Sequence, residues 1–355
     1  MRKVVSVVAA IAVLGLAACA QQQAPGNGGG GGIAGAATPA PPVKPDRKLI
    51  FTYYFYWYDA TTGAHMTPDR DHLPASPQPS WRSAAWQGKQ LRDMTLAGID
   101  VALPVYWGFD RPQDQWSPQG LGVLATAWKQ QKAAGIKVPS IGMFFDTTIV
   151  GMRDLTNPEG KAWFYANFKD FFTRIPRNEW ALINGEPVVY LFTSDTTEAV
   201  NQGTFDYVYT HFKTDFSVRP YIVREVSWDY PILNWVNGQR VRDLQHPIKT
   251  DNSYLWAAAV HGYVDRGGVA AVGPGYDETL VPGRSGTVTP RSGGAFYRTA
   301  WSKAIASGKP LIAIETWDEM HEASDICESV EYGRTYIDIT AGFAKQFHAG
   351  TAFAG

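Results

Sequence analysis

Eight short apolar runs, separated by polar and helix-forming stretches, limit the fold of this sequence more than any other feature. They are rich in β-branched and aromatic residues, and most are continuously hydrophobic rather than alternating. Continuous hydrophobicity is typical of strands buried on both faces, as in parallel sheets. The runs are Leu49–Tyr58, Val101–Trp107, Pro139–Phe145, Pro187–Thr193, Pro220–Ser227, Tyr254–Val260, Val269–Gly273 and Leu311–Trp317.

Helical patterns lie between many of these runs. Ser83–Ala97 and Leu121–Ala134 are followed by Gly98 and Gly135, and glycine is the usual residue at the end of a helix. Further helical patterns cover Pro158–Ile175, Thr204–Phe216, Phe296–Ser307 and Glu331–Phe347. This alternation predicts an α/β fold, a single (β/α)8 TIM barrel. The helical pattern is weakest after the fifth and sixth strands.

The N-terminus predicts export and a lipid anchor. Arg2 and Lys3 precede the apolar run Val4–Leu16, which is too short to span a membrane and is typical of a signal peptide over residues 1–18. Leu16-Ala17-Ala18-Cys19 resembles a bacterial lipobox, which implies cleavage before Cys19 and lipidation of its sulfur. The alternative is an ordinary signal peptide in which Cys19 is incidental.

The remaining chain divides into a linker and one domain. Residues 19–46 are rich in Gly, Pro and Gln and predict a flexible, disordered tether. Residues 47–355 form the predicted catalytic barrel. We therefore expect a protein of the cell envelope, periplasmic or at the outer surface, held to the membrane through Cys19.

Charge and composition narrow the classes of partner. The formal net charge is −1, which argues against nucleic acid because nucleic-acid binding needs a basic surface. Cys327 is the only cysteine besides Cys19, so a disulfide framework is excluded and a large core must stabilise the domain. The 13 tryptophans suit a sugar-binding cleft, where aromatic rings stack on pyranose faces.

Aromatic and ionisable residues follow the predicted strands. In a (β/α)8 barrel the C-terminal ends of the strands meet on one face, where active sites are built. Side chains at the ends of several strands should therefore meet around one cleft and bind an oligo- or polysaccharide. The candidate substrate contacts are Tyr54, Tyr56, Trp57, His72, Trp107, Glu225, His261, Tyr276, Trp317 and His321.

Two acids directly after the last strand are the candidate catalytic pair. Glu319 and Glu322 lie three residues apart, and on one helical turn their Cβ atoms would be roughly 5–6 Å apart. Retaining glycosidases place two carboxyl groups about 5–5.5 Å apart and inverting enzymes about 6.5–9.5 Å apart, so the spacing favours retention. Two close carboxyls should also differ in pKa, since both cannot ionise cheaply. The alternative is a solvated acidic loop or an ion pair with Arg334.

The same segment carries a family resemblance. Trp317–Ser324 resembles the W-N-E-W-H-E-G-T segment of family-99 glycoside hydrolases, the endo-α-mannanases and endomannosidases. Val272–Thr279 is similar to that family's V-G-P-G-Y segment, one strand earlier. Weaker similarities lie at Tyr54–Tyr58 with His65 and His72, at Ala102–Trp107 and at Gly185–Tyr190. The chain is also similar to a bacterial family of exported glycoside-hydrolase-like proteins.

The resemblance implies retaining hydrolysis inside an α-linked glycan, through a 1,2-anhydro sugar. Glu319 would take the proton of the sugar 2-hydroxyl, while Glu322 would protonate the leaving oxygen and later deprotonate water. Both roles are proton transfers, so neither a metal nor a cofactor is expected. Asp318, Met320 and Ala323 stand where the family has Asn, Trp and Gly, which alters charge and stacking beside the catalytic pair.

Two other functions fit the same residues. The first is a carbohydrate-binding surface lipoprotein that kept the barrel and lost turnover. The second is a glycan lyase or another acid–base enzyme. Metal binding is disfavoured, because the Asp69–His72 cluster lacks the turn glycine of a calcium loop and Asp325 interrupts the H-E-x-x-H zinc pattern. The sugar and its linkage are open at this stage.

Overall fold

A computed structural model describes residues 35–66 and 77–350, and in it eight parallel strands form a nearly closed barrel. Each strand pairs with its neighbours in the order β6-β5-β4-β3-β2-β1-β8-β7. Mixed α/β architecture and a parallel, barrel-like sheet are therefore confirmed. The strands are β1 Leu49–Tyr54, β2 Val101–Tyr106, β3 Met143–Phe145, β4 Glu186–Leu191, β5 Tyr221–Glu225, β6 Asn252–Tyr254, β7 Val269–Val272 and β8 Leu311–Ile314.

The barrel closes between β6 and β7 without a regular ladder. The backbone N–H of Gly268 donates to the Ser253 carbonyl at 3.1 Å and to the Asn252 side-chain oxygen at 2.9 Å. A Cβ atom at Gly268 would lie 2.1 Å from that Asn252 oxygen, so only glycine permits the approach.

Helices cover the outside of the barrel where the sequence shows helical periodicity. Ser83 and Asn157 cap the helices that follow them, each accepting a backbone N–H with its side chain. Gly98 and Gly135 have positive φ directly after two helices, as the sequence predicts. The helices are α1 Ala84–Leu96, α2 Trp116–Ala133, α3 Pro158–Arg174, α4 Gln202–Phe216, α5 Ala258–His261, α6 Ala295–Ala306 and α7 Thr335–Ala349.

The predicted alternation of strands and helices is wrong after β5, where the described residues form no α-helix before β6. After β6 the helix is only one turn long. A hairpin of Ile232–Val236 and Gln239–Arg242 takes the place of a helix, since Asn237 and Gly238 both adopt the positive φ of a tight hairpin turn. The run Tyr254–Val260 is not one strand, because β6 ends at Tyr254 and α5 is a single turn. Tyr263–Arg266 then pairs antiparallel with β7. The other short strands are Ser140–Ile141, Leu182–Ile183, Tyr276–Asp277 and Val288–Thr289.

The N-terminal segment packs where the barrel lacks a helix. The Ala37 N–H donates to the Leu244 carbonyl at 2.8 Å, and the Val43 N–H donates to the Asp251 carbonyl at 2.7 Å. The Asp46 carboxylate accepts the Asn184 N–H at 3.1 Å. The predicted disordered tether over 19–46 therefore needs correction for its described part, which runs along the barrel from the rim after β5 to the start of β4.

Alternating side chains of β1 separate two aromatic layers. Tyr53 points into the barrel, where its ring centroid lies 4.6 Å from that of Phe144 and 4.8 Å from that of Trp256. Tyr54 points outward to α1, and its ring centroid is 6.1 Å from that of Trp86. The barrel interior is thus filled by rings, and this core supports the loops at the C-terminal ends of the strands. Within the described residues, no helix combines the length and apolar character needed to cross a bilayer.

Candidate active site

A compact loop directly after β8 holds both candidate catalytic acids. The Thr316 N–H donates to the Ser324 carbonyl at 2.8 Å, and the Ile326 N–H donates to the Trp317 carbonyl at 3.0 Å. These bonds close residues 316–326 into a loop, not a regular helix. The loop therefore has a defined backbone conformation at the barrel rim.

Two side chains from other elements hold this loop. The Tyr58 hydroxyl accepts the Met320 N–H and donates to the Asp318 carbonyl, both at 2.9 Å. Arg291 donates to the Ala323 carbonyl at 2.9 Å and to the Asp325 carboxylate at 2.8 Å. Because both clamps are buried, the acids between them are held in place from two sides.

Glu319 lies against His321. Its Oε1 accepts the His321 backbone N–H at 3.0 Å and faces His321 Nδ1 at 3.1 Å. The other ring nitrogen, Nε2, donates to the His65 carbonyl at 2.8 Å. Burial disfavours a charged imidazole, but the adjacent Glu319 carboxylate and these hydrogen bonds raise the pKa of His321. The Glu319 carboxylate and the His321 ring therefore form one hydrogen-bonded pair beside the barrel rim.

Glu322 lies beside a second carboxylate, that of Glu319, and beside the Arg284 guanidinium. Burial and the neighbouring Glu319 charge raise the pKa of Glu322 to about 7, although Arg284 and His321 act against this. The two side chains are nearly buried, with 5% of Glu319 and 7% of Glu322 exposed. Glu322 can therefore carry a proton near neutral pH, as the acid in acid–base catalysis requires.

The loop after β7 packs on Glu322. Gly275 has a φ of 134° and its Cβ would lie 2.8 Å from the Thr289 carbonyl, so this turn admits only glycine. The Asp277 N–H donates to the Glu322 carbonyl at 2.8 Å. The Arg284 guanidinium lies 3.2 Å from Glu322 Oε1. The V-G-P-G-Y-like segment thus brings Tyr276 and Arg284 beside the second acid.

Aromatic rings lie next to Glu319 and His321. Trp57 stacks on His65 with a centroid distance of 4.9 Å and an interplanar angle of 6°. Its centroid is 5.8 Å from that of His321, 5.6 Å from that of Trp116 and 6.5 Å from that of Trp107. Trp57 is half-buried, so this aromatic wall (Trp57, His65, Trp107 and Trp116) has a partly accessible ring beside the acids. Such surfaces suit stacking on sugar rings.

Three residues predicted to contact substrate are core residues. Tyr54 donates its hydroxyl to Gln87 of α1 at 2.5 Å, and the Trp317 indole N–H donates to Gln90 of α1 at 2.8 Å. The Tyr56 hydroxyl donates to the Ser117 carbonyl of α2 at 2.6 Å. All three are completely buried. Their side chains point to the helix layer, so these predictions are corrected.

Among the described residues, two more predicted contacts make no hydrogen bond or ion pair with Glu319 or Glu322, and a third predicted contact lies outside the described residues. Glu225 is buried, and its carboxylate accepts the Ser227 N–H at 2.7 Å. His261 is exposed at the end of α5, not at the end of a strand. His72 lies outside the described residues, as does Cys19. His321 and Tyr276 lie beside the candidate pair, whereas Trp57 contacts His321 and Trp107 contacts Trp57.

Arg334 does not pair with the candidate acids in the described residues. It donates to Asp93 at 2.9 Å and lies 3.6 Å from Glu328. The alternative in which Arg334 neutralises Glu319 and Glu322 is therefore wrong.

Arg284 and Trp116 were missed by the sequence reasoning. Arg284 lies in a loop without periodicity, and Trp116 opens α2, where a ring indicates packing more readily than a cleft. Arg284 could have been proposed from its position in a loop that follows a carboxylate-rich stretch, because buried carboxylates need cationic partners.

The three departures from the family segment have structural consequences. Asp318 is buried; its Oδ1 accepts the Phe55 N–H at 2.7 Å, and its Oδ2 has no partner among the described residues. Burial raises the pKa of Asp318 well above its usual value, which favours a neutral carboxyl at the position where the family has a neutral amide. Met320 is buried, and Ala323 adopts a φ of 45°, the left-handed region that favours glycine.

We expect Asp318→Asn to stabilise the protein at pH 8. In the folded state Asp318 keeps its proton above the pH at which the unfolded chain loses it, so wild-type stability falls as pH rises above about 4. Asparagine removes this dependence and should add about 1–3 kcal/mol to the unfolding free energy at pH 8, with little effect at pH 4. Urea unfolding at the two pH values measures this. The exposed control Asp206→Asn should change little at either pH, and equal effects of Asp318→Asn at both would contradict the protonated state.

Metal ligation has no candidate in the part of the chain that the structure describes. No group of three or more His, Cys, Asp or Glu side chains there is placed to hold an ion.

Known structures share this barrel. The GH99 endo-alpha-mannosidase from Bacteroides thetaiotaomicron matches with a TM-score of 0.62 and 15% sequence identity, over 85% of this chain and 98% of that chain. A glycoside hydrolase-like protein matches with a TM-score of 0.60 and 12% identity, over 86% of this chain and 96% of that one. The resemblance to family-99 hydrolases is therefore confirmed for the fold, a nearly closed parallel barrel with outer helices.

The family of the chain is shown by its sequence. The chain belongs to the DUF5010 family, described as a domain of unknown function, whose model matches residues 46–353. No curated protein sequence matches the chain.

Proposed function

We propose that this protein is a retaining glycoside hydrolase that cleaves α-linked glycans internally, as an endo-α-mannosidase does. The observation that carries the proposal is the pair Glu319 and Glu322 on one clamped loop, with an imidazole beside the first acid and a guanidinium beside the second. His321 Nδ1 lies 3.1 Å from Glu319 Oε1, whereas burial and the Glu319 charge raise the pKa of Glu322 to about 7. A barrel rim with one acid and one base is suited to cleaving a glycosidic bond.

The proposed first step needs both acids at once. Glu319 takes the proton of the 2-hydroxyl while that oxygen bonds to C1 of the same sugar. The bond from C1 to the leaving oxygen breaks, and Glu322 gives its proton to that oxygen. The products of this step are a 1,2-anhydro sugar and the shortened glycan.

The second step reverses the proton transfers. The Glu322 carboxylate takes a proton from water, and the water oxygen bonds to C1 as the bond from C1 to the 2-oxygen breaks. Glu319 returns its proton to the 2-oxygen. C1 is inverted twice, so its configuration is retained, and no metal or cofactor enters either step.

We also propose that the protein is a cell-envelope lipoprotein anchored through Cys19. The Tyr230 hydroxyl donates to the Ala37 carbonyl at 2.9 Å, so the described chain begins at the rim formed after β5. That rim is the face to which the candidate acids belong. An anchor on Cys19 would therefore join the barrel from the catalytic face, and globomycin-sensitive processing and labelling with a fatty-acid analogue test the lipidation.

A carbohydrate-binding protein without turnover is the second candidate. Two observations favour it: Met320 replaces a tryptophan beside the acids, and Arg284 contacts the proposed proton donor. Such a protein would retain the aromatic wall and bind glycans without cleaving them.

A substrate screen with product analysis tests the proposed function. The mature protein is incubated with α-mannans, α-glucans and α-linked heteroglycans, and proton NMR follows the anomer that appears first. Release of oligosaccharides with the α-anomer first supports the hydrolase. Glycan binding without any release supports the second candidate, and a β-anomer first would exclude the retaining mechanism.

A further inference from the structure

Among the described residues, Arg284 is the only arginine whose guanidinium contacts one of the two candidate catalytic carboxylates. Its Nη2 lies 3.2 Å from Glu322 Oε1, and its Nη1 lies 3.2 Å from Glu278 Oε2. Only 7% of the Arg284 side chain is exposed, so both contacts are shielded from water. Shielded charge pairs interact more strongly than exposed ones.

Glu278 holds Arg284 and is itself held by four donors. Its Oε1 accepts the Ser285 hydroxyl at 2.7 Å and the Thr287 N–H at 3.2 Å, and its Oε2 accepts the Tyr276 hydroxyl at 2.8 Å in addition to Arg284. Burial opposes its charge, but hydrogen bonds from Ser285, Tyr276 and Thr287 lower the pKa of Glu278 to about 2. Glu278 is thus a permanent anion that fixes the arginine.

We propose that Arg284, fixed by Glu278, is a positioning residue for the proposed acid/base Glu322. This inference rests on the proposed function and adds a second element to the site, the loop of residues 276–289. The arginine holds one carboxylate oxygen of Glu322, so the other oxygen carries the proton that is exchanged with substrate and water. It also offsets the negative charge that Glu319 and Glu278 add around Glu322.

The sign of the expected pH effect follows from the groups around Glu322. Glu319 and His321 face it from its own loop, and Tyr276, Glu278 and Arg284 face it from the loop after β7. Burial and the carboxylates favour its protonated form, while Arg284 and His321 favour its charged form. Removing Arg284 should therefore keep Glu322 protonated to higher pH.

The test compares Arg284→Met and Arg284→Lys with wild type. Arg284→Met should shift the alkaline limb of the kcat/KM profile upward by about one pH unit or more. It should also lower kcat roughly 10- to 100-fold, because the acid loses its fixed position. Arg284→Lys should restore the limb toward wild type while leaving kcat reduced, since a lysine keeps the charge and loses the two-pronged contact.

Arg219→Met is the matched control. Arg219 also bridges two carboxylates, Glu186 and Asp251, at the opposite end of the barrel. Its removal should lower the unfolding temperature without moving the pH profile. An unshifted profile in Arg284→Met, with only a lower unfolding temperature, would overturn the proposal and leave Arg284 a purely structural residue.

A direct titration separates this inference from the proposed function. Carbon-13 NMR of glutamate-labelled protein follows the Glu322 carboxyl, assigned by its absence in Glu322→Gln. A higher midpoint in Arg284→Met supports the inference even if no glycan is cleaved, whereas absence of turnover by the wild type counts against the hydrolase alone. An unchanged midpoint overturns the role of Arg284.

Discussion

Replacement of Glu322 by glutamine should reduce turnover of a natural glycan about 10³-fold, within the 10²- to 10⁴-fold range of general acid–base catalysis. Glutamine keeps the shape of the side chain and can still accept from Arg284, but it has no proton to give to the leaving oxygen. Glycan affinity and unfolding temperature should stay close to wild type. Initial rates, isothermal calorimetry and thermal unfolding measure the three quantities.

The nature of the leaving group identifies the step that is lost. An aryl glycoside with an acidic phenol as leaving group needs little protonation, so its first step should be much less impaired in Glu322→Gln than that of a natural glycan. Glu328→Gln is the matched control, because Glu328 pairs with Lys89 and Arg334 instead of with the site. An equal loss for both leaving groups would argue against Glu322 as the acid.

The proton held by Glu322 also sets a pH limit. Since burial and Glu319 raise the pKa of Glu322 to about 7, its protonated fraction falls above that pH and the rate should fall with it. The optimum should therefore lie on the acidic side of neutrality. The alkaline limb of the pH profile is the one that we propose Arg284 shifts, through its contact with Glu322.

Much of the fold could be predicted from hydrophobic pattern and glycine positions. All eight parallel strands overlap predicted runs, because strands buried on both faces need continuous apolar sequence. Gly98 and Gly135 marked two helix ends correctly, since helix termini need residues that tolerate positive φ. The segment between β5 and β6 could not be assigned, because a hairpin there replaces the periodic helix of the repeat.

Site residues that are close together in the sequence could be predicted, whereas contacts between residues far apart in the sequence could not. Glu319 and Glu322 could be selected because they follow a buried strand and lie three residues apart. Because the runs that form β1 and β8 are apolar without alternation, the sequence does not indicate which aromatic side chains face the barrel interior and which face the helices. Tyr54 and Trp317 were therefore assigned to the cleft, although both pack on α1. Arg284 depends on a contact with Glu322 across 38 positions of the chain, and local pattern carries no information on such a contact.

The structure also revises the meaning of Asp318. Three acids within five residues suggest strong repulsion, yet Asp318 is buried and burial raises its pKa, which favours its neutral form. Charge at the site is therefore shared among Glu319, Glu322, Glu278, Arg284 and His321. Because two cationic side chains lie among these carboxylates, Glu319 can act as the proposed base close to Glu322, the proposed acid.

Replacement of Glu319 by glutamine should reduce turnover by about 10³-fold as well, for a different reason. The described hydrogen bonds to its carboxylate go to Oε1, from the backbone N–H and ring of His321. Oε2 is thus available for a substrate hydroxyl. Glutamine keeps the contact with the backbone N–H but cannot take a proton, so binding should persist while the first step fails even with an activated aryl leaving group.

A substrate without the 2-hydroxyl decides what Glu319 does. If Glu319 is a base toward that hydroxyl, the wild-type enzyme should not cleave a 2-deoxy-2-fluoro glycoside and should form no covalent adduct with it. A protein mass increased by one fluorosugar, mapped to Glu319 by peptide mass spectrometry, would identify Glu319 as a nucleophile and contradict the 1,2-anhydro route. Because His321 pairs with the carboxylate of Glu319, His321→Ala should lower the rate with the natural glycan and leave this qualitative outcome unchanged.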